Sequence, residues 1–132
     1  MMPEVNYLAV LAAVLAAFLL GGIWYSAMFA KHWAAMTGQS DETLKSGNRA
    51  VQLGGTLVMN LIAALVLAMF IGRGADIKSA ALAGLAVGLC WVATSLGVIY
   101  LYERRPLSLW LLNGAYFTLQ FTVMGAILGA MG

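Results

Sequence analysis

Apolar residues along this chain gather into four long runs, at residues 5–29, 50–71, 78–102 and 107–131, with short polar breaks between them. A bilayer's hydrocarbon core is about 30 Å thick, and about 20 residues of helix are needed to cross it. Each run meets that length with a little to spare, which implies modest tilt. None carries the charged outer face that a helix needs in water. The pattern predicts an all-α protein. The expected architecture is an integral membrane bundle of four transmembrane helices, with a short interfacial helix between spans one and two. The 132 residues leave room for this single domain, residues 1–132, and for one substantial loop.

That loop covers residues 30–49. Gly38 breaks the helix that leaves span one, and the Ser40 hydroxyl can cap a short helix over residues 41–46. Asp41 and Glu42 suit its first turn, Asp41 pairs with Lys45 one turn on, and Gly47 ends it. Trp33 and Met36 are expected in the interface. His32 stands between Lys31 and Trp33 with no orienting partner nearby in sequence, so it reads as an interfacial residue rather than a catalyst.

Composition strengthens the membrane reading. The chain is 63% hydrophobic and 9% charged, against about 45–50% and about 25% in soluble domains. The lipid bilayer is therefore the expected partner. A net charge of +2, with no basic run longer than Arg104–Arg105, gives no footing for nucleic acid. The start, Met1-Met2-Pro3-Glu4, lacks Lys and Arg, and the first apolar run exceeds a signal peptide's core, so retention as a transmembrane helix is expected. Cys90, the single cysteine, reads as a small buried hydrophobe. No metal ligand set, nucleotide signature or cofactor motif is evident, so no catalytic, metal or cofactor-binding residue is assigned.

Charge also orients the chain. Lys31, Lys45 and Arg49 lie between spans one and two, and Arg104 and Arg105 between spans three and four; the opposite side has Arg73 and Lys78. The positive-inside rule places loops 30–49 and 103–106 in the cytoplasm and both termini outside the cell (inner) membrane. Trp24, Tyr25, Trp33, Tyr100, Tyr102 and Trp110 gather at the same boundary, where amphipathic rings anchor; Tyr7 marks the other.

No Asp, Glu, Lys or Arg falls near the middle of a span, which counts against proton relays and buried acid–base pairs. Neutral polar residues do occur there. Gln52, Thr56 and Asn60 recur every four residues on span two, placing them on one helix face. Span three offers Trp91 and Ser95, beside Thr94, and span four offers Asn113, Tyr116 and Gln120. Nearly all lie between the cytoplasmic face and about mid-membrane. Two readings stay open. Either these side chains bond across helices and set the register, or they line a polar vestibule for a small molecule or lipid headgroup.

Small residues form ridges: Ala80, Gly84 and Gly88 on span three, Gly125 and Gly129 on span four, with Gly21–Gly22 and Gly54–Gly55 besides. They serve close packing within the chain or a homo-oligomer contact.

The segment Gly22-Ile23-Trp24-Tyr25-Ser26-Ala27-Met28-Phe29-Ala30-Lys31-His32-Trp33 resembles a bacterial four-helix membrane family known as domain of unknown function 1761. Trp24, Tyr25, Ser26 and Trp33 carry most of the likeness. It continues in Val5-Asn6-Tyr7, in Gly38, Ser40, Asp41, Glu42 and Lys45, and in Leu112-Asn113-Gly114-Ala115-Tyr116 and Met124-Gly125-Ala126-Ile127. Members often have proline where this chain has Ala27 and glycine where it has Ala30, so the exit from span one is expected to be more helical here. The resemblance implies a four-helix membrane protein and supplies no catalytic residues.

The expected function is a non-enzymatic inner-membrane protein acting through membrane interactions or self-association. The alternative is a small-solute permease or channel with a neutral path along the seam. A membrane enzyme using the Trp24–Trp33 region lacks a nucleophile–base pair.

Overall fold

The computed structural model describes residues 5–28, 49–72 and 74–131. Among these residues, four helices are long and apolar enough to cross a membrane: Tyr7–Tyr25, Ala50–Ile71, Ile77–Tyr102 and Leu107–Met131, close to the four apolar runs. No strand occurs among the described residues. The short helix expected over residues 41–46, together with Lys31, His32, Trp33, Ser40 and Lys45, lies outside the described residues.

Local chemistry sets the ends of the spans. Asn6 caps span one: its Oδ1 accepts from Leu8 N at 3.1 Å and Ala9 N at 3.2 Å. Its Nδ2 donates to the Met131 carbonyl at 2.7 Å, tying the start of span one to the end of span four. Span two stops at Gly72, whose φ of +75° is the left-handed conformation that closes a helix, and Gly72 N donates back to Ala68 O. Asp76 then caps span three through Ser79 N. Arg104, at φ +58°, turns the chain into span four, and Arg105 Nε meets Glu103 Oε1 at 3.1 Å across that turn.

Two spans are not uniform α-helix. Span one passes from α-helix Tyr7–Gly22 into π-helix Ile23–Met28, and span three carries π-helix Val87–Ala93 between α-helices Ile77–Ala86 and Thr94–Tyr102. A π turn holds one more residue than an α turn, so it shifts the phase of every side chain beyond it.

Span four is the centre of the bundle. Half of its most apolar window is buried (50%), against 28%, 22% and 17% for spans one, two and three. Span three packs along one side of it through small residues. A Cβ at Gly84 would strike the Phe121 carbonyl, one at Gly125 the Ala80 carbonyl, and one at Gly88 would stand 2.7 Å from the Phe117 carbonyl. The backbones can approach this closely only because those positions have no side chain.

Spans one and two meet span four on its other side. Ala9, Ala13 and Ala17, one turn apart and fully buried, face Ala64, Leu67, Ala68, Met124 and Leu128 in a single apolar core. This dry half lies toward the Tyr7 and Met131 ends. Toward Tyr25 and Gln52 the lining becomes polar and the packing opens.

Candidate functional site

Where the packing opens, spans one, two and four border an open-sided cavity of about 860 Å³. Span two supplies Gln52, Thr56 and Asn60, with Gly55 and Met59 beside them; span four supplies Tyr116, Phe117 and Gln120; span one supplies Ala17, Gly21 and Tyr25. Helical spacing explains span two's share: three polar side chains at four-residue steps lie along one face. The Thr56 hydroxyl donates to the Gln52 carbonyl at 2.7 Å, a bond within its own helix.

Tyr25 is held from both sides. Its hydroxyl donates to Asn113 Oδ1 at 2.5 Å, and Asn113 Nδ2 donates to the Tyr100 hydroxyl at 2.8 Å. One amide thus ties together spans one, three and four. The Tyr25 and Tyr116 rings stand edge to face at 5.0 Å, and Phe117 repeats that arrangement on Tyr116 at 5.0 Å. The Tyr116 hydroxyl donates to the Ala17 carbonyl at 3.3 Å. It reaches span one past Gly21, where a Cβ would stand 2.8 Å from the hydroxyl. Trp24 packs on Tyr116 at 6.1 Å.

Of the eight residues of the polar seam, Gln52, Thr56, Asn60, Tyr116 and Gln120 line this cavity, and Asn113 adjoins it through Tyr25. Trp91 and Ser95 lie elsewhere. Both are exposed; Trp91 meets Phe70 edge-on at 6.5 Å, and the Ser95 hydroxyl donates to the Trp91 carbonyl at 2.6 Å. Of the family-like motif, Trp24 and Tyr25 are at the site, while the Ser26 side chain and Trp33 lie outside the described part of the chain. Tyr100 was legible only as a boundary aromatic, and nothing in its sequence neighbourhood links it to Asn113. Cys90, expected to be buried, is exposed: it lies within the π-helix that re-phases span three.

The cavity's chemistry is neutral. No acidic or basic side chain is among the described residues lining it. Among the described residues, no group of three or more His, Cys, Asp and Glu comes together to hold a metal ion. One donor stands out: Asn60 is 7% exposed, yet its Nδ2 has no hydrogen-bond partner among the described residues. A second cavity of about 500 Å³, between spans three and four, is lined almost wholly by apolar groups such as Leu85, Leu89, Trp110 and Leu119. At its edge the Trp110 indole donates to the Ala93 carbonyl at 2.7 Å, with room made by Gly97.

The family described as "Protein of unknown function (DUF1761)" matches residues 8–129. The chain belongs to this family. The match takes in all four spans and every residue named at the cavity, so the site is built wholly from the part of the chain the DUF1761 family shares. No curated protein and no solved structure matches the chain.

Proposed function

We propose that this DUF1761 protein is a non-enzymatic, multi-pass protein of the inner membrane that receives an uncharged polar molecule in the cavity between spans one, two and four. Asn60 carries this reading. A buried amide donor without an acceptor is costly anywhere, and most costly at the middle of a span. A molecule in the cavity removes that cost. The exposed surface, with Leu8, Leu11, Leu15 and Leu19 on span one alone, suits hydrocarbon as solvent. With loops 30–49 and 103–106 in the cytoplasm and both termini outside, the cavity opens toward the cytoplasm. Its other end meets the apolar core of Ala13, Ala64 and Met124, which favours a receptacle over an open pore.

A permease is the second reading, favoured because the cavity already reaches halfway through the bundle. It requires the apolar core to part. Self-association accompanies either reading through span two, where Gly54 is exposed and meets nothing within 4 Å.

Gly55 tests the receptacle, because a side chain there enters open space in the cavity. Mass spectrometry of purified protein should find an uncharged molecule with the wild type and not with Gly55→Phe. Equal recovery from both would overturn the reading. For orientation, a cysteine at Ser40 in a Cys90→Ala background should resist an impermeant thiol reagent in intact cells.

A further inference from the structure

Two amides meet the cavity at one depth. Asn60 is the central residue of the Arg49–Ile71 helix, and Gln120 lies one residue past the centre of Leu107–Met131. Both are more than nine-tenths buried. Asn60 Nδ2 nevertheless finds no acceptor, Gln120 included. The lining hydroxyls behave differently. Those of Tyr25, Tyr116 and Thr56 each donate within the protein, to Asn113, Ala17 and Gln52. The other polar side chains of the lining are the neutral amides of Gln52, Asn60 and Gln120, so a charged ligand would find no group to balance it. Apart from Gln52, Thr56 and Gln120, the described wall is aromatic and aliphatic, with Phe18, Met59 and Phe117 among its residues. What fits is a mainly apolar molecule with an oxygen acceptor at mid-span.

We propose that the cavity binds a neutral amphiphile whose carbonyl oxygen accepts from Asn60 Nδ2 while its apolar body lies against the aromatic wall. This rests on the receptacle reading and names the ligand's chemistry. A ring carbonyl of a quinone and an ester carbonyl of a neutral glyceride both supply it, and both reach the site from the bilayer.

The test uses the full chain in lipid nanodiscs with three labelled probes: a decyl-substituted benzoquinone, monodecanoylglycerol, and decylbenzene, which has no oxygen. At least one carbonyl probe should bind saturably, and which one does so tells ring from ester. Asn60→Leu should weaken that binding about tenfold or more, leave decylbenzene unchanged, and leave the thermal midpoint no lower than wild type. Asn60→Ala removes the same donor without adding bulk and should read the same way. Unchanged carbonyl affinity in both variants would overturn the carbonyl proposal, as would a lowered midpoint in both, since that would reveal a partner within the protein. Gly55→Phe separates the two levels. If it displaces the probes while the Asn60 variants do not discriminate, the receptacle stands and the carbonyl proposal falls. If no probe binds saturably, or Gly55→Phe displaces none, both fall.

Discussion

Span four has two faces that solve opposite problems. Against span three, Gly125 and Gly129 meet Ala80, while Gly84 and Gly88 meet Phe121 and Phe117, and the backbones come into contact. Against spans one and two, Tyr116, Phe117 and Gln120 face Gly21, Gly55 and Asn60, and a cavity of about 860 Å³ remains. Both faces contain glycine, but it does different work on each. On the first it removes a side chain so that backbones can touch. On the second it removes one so that space stays open or a Tyr116 hydroxyl can pass. A glycine ridge by itself therefore says nothing about whether a helix face is dry or hollow; the residues opposite decide.

The largest expected effect strikes the tight face. Gly84→Ala drives a Cβ into the Phe121 carbonyl, and overpacking of this kind costs about 1–3 kcal/mol or more. Denaturation of the protein in mild detergent should show a loss at the upper end of that range. An unchanged midpoint would mean that the ridge does not hold spans three and four together.

Asn113→Leu comes next. It strips both Tyr25 and Tyr100 of a partner, and interhelical hydrogen bonds in membranes contribute about 0.6 kcal/mol each, up to about 1.7. The same assay should register about 1–2 kcal/mol, with Tyr25→Phe about half as costly. Trp110→Phe removes one such bond, to Ala93, and should cost about 0.5–1 kcal/mol. If Asn113→Leu costs no more than Trp110→Phe, the amide does not join three spans.

Asp76 sits at the end of the tight face, its carbonyl 3.1 Å from where a Gly129 Cβ would be. Hydrogen bonds from the Ser79 side chain, then from its backbone, hold the Asp76 carboxyl below the usual carboxylate range. A depressed value in the folded state means the contribution is present above that range and lost as pH falls through the lowered value. Asp76→Asn should therefore flatten a small acid-side decline in stability, and a profile identical to wild type would mean that the cap contributes nothing. The group is fully exposed, so the effect is slight. Gly55→Phe closes the series from the hollow face, with stability within about 0.5 kcal/mol of wild type. A large loss there would mean that span two packs against something at that position.

Much of the fold could be read directly from the residues. The apolar run at 107–131 coincides with the helix Leu107–Met131, and the run at 50–71 misses its helix by only Arg49. Polar residues at four-residue steps on span two do share a face and do line one cavity, because Arg49–Ile71 is regular α-helix throughout. Span three broke the same reasoning. Its π-helix over Val87–Ala93 re-phases the rest of the span, and Trp91 and Ser95 end on an exposed face away from the seam. A period of 3.6 residues cannot anticipate a turn that holds more. Tyr25 was visible as part of a motif, but its tie to Asn113 spans 88 residues and depends on how two helices sit side by side.

Residue order alone dictated the number of spans, their ends and the neutrality of their interiors. Those properties come from local quantities: run length, capping side chains such as Asn6 and Asp76, and the absence of charge at mid-span. The packed bundle settled which span is central, which small residues are used up in backbone contact, and which polar stripe faces space. Those depend on the rotation of each helix about its own axis relative to its neighbours. Asn60 shows the division most clearly. Its place on a helix face was legible from spacing, but its lack of a partner depends on the packing, which brings Tyr116 and Gln120 of span four to the same cavity without an acceptor reaching Asn60 Nδ2.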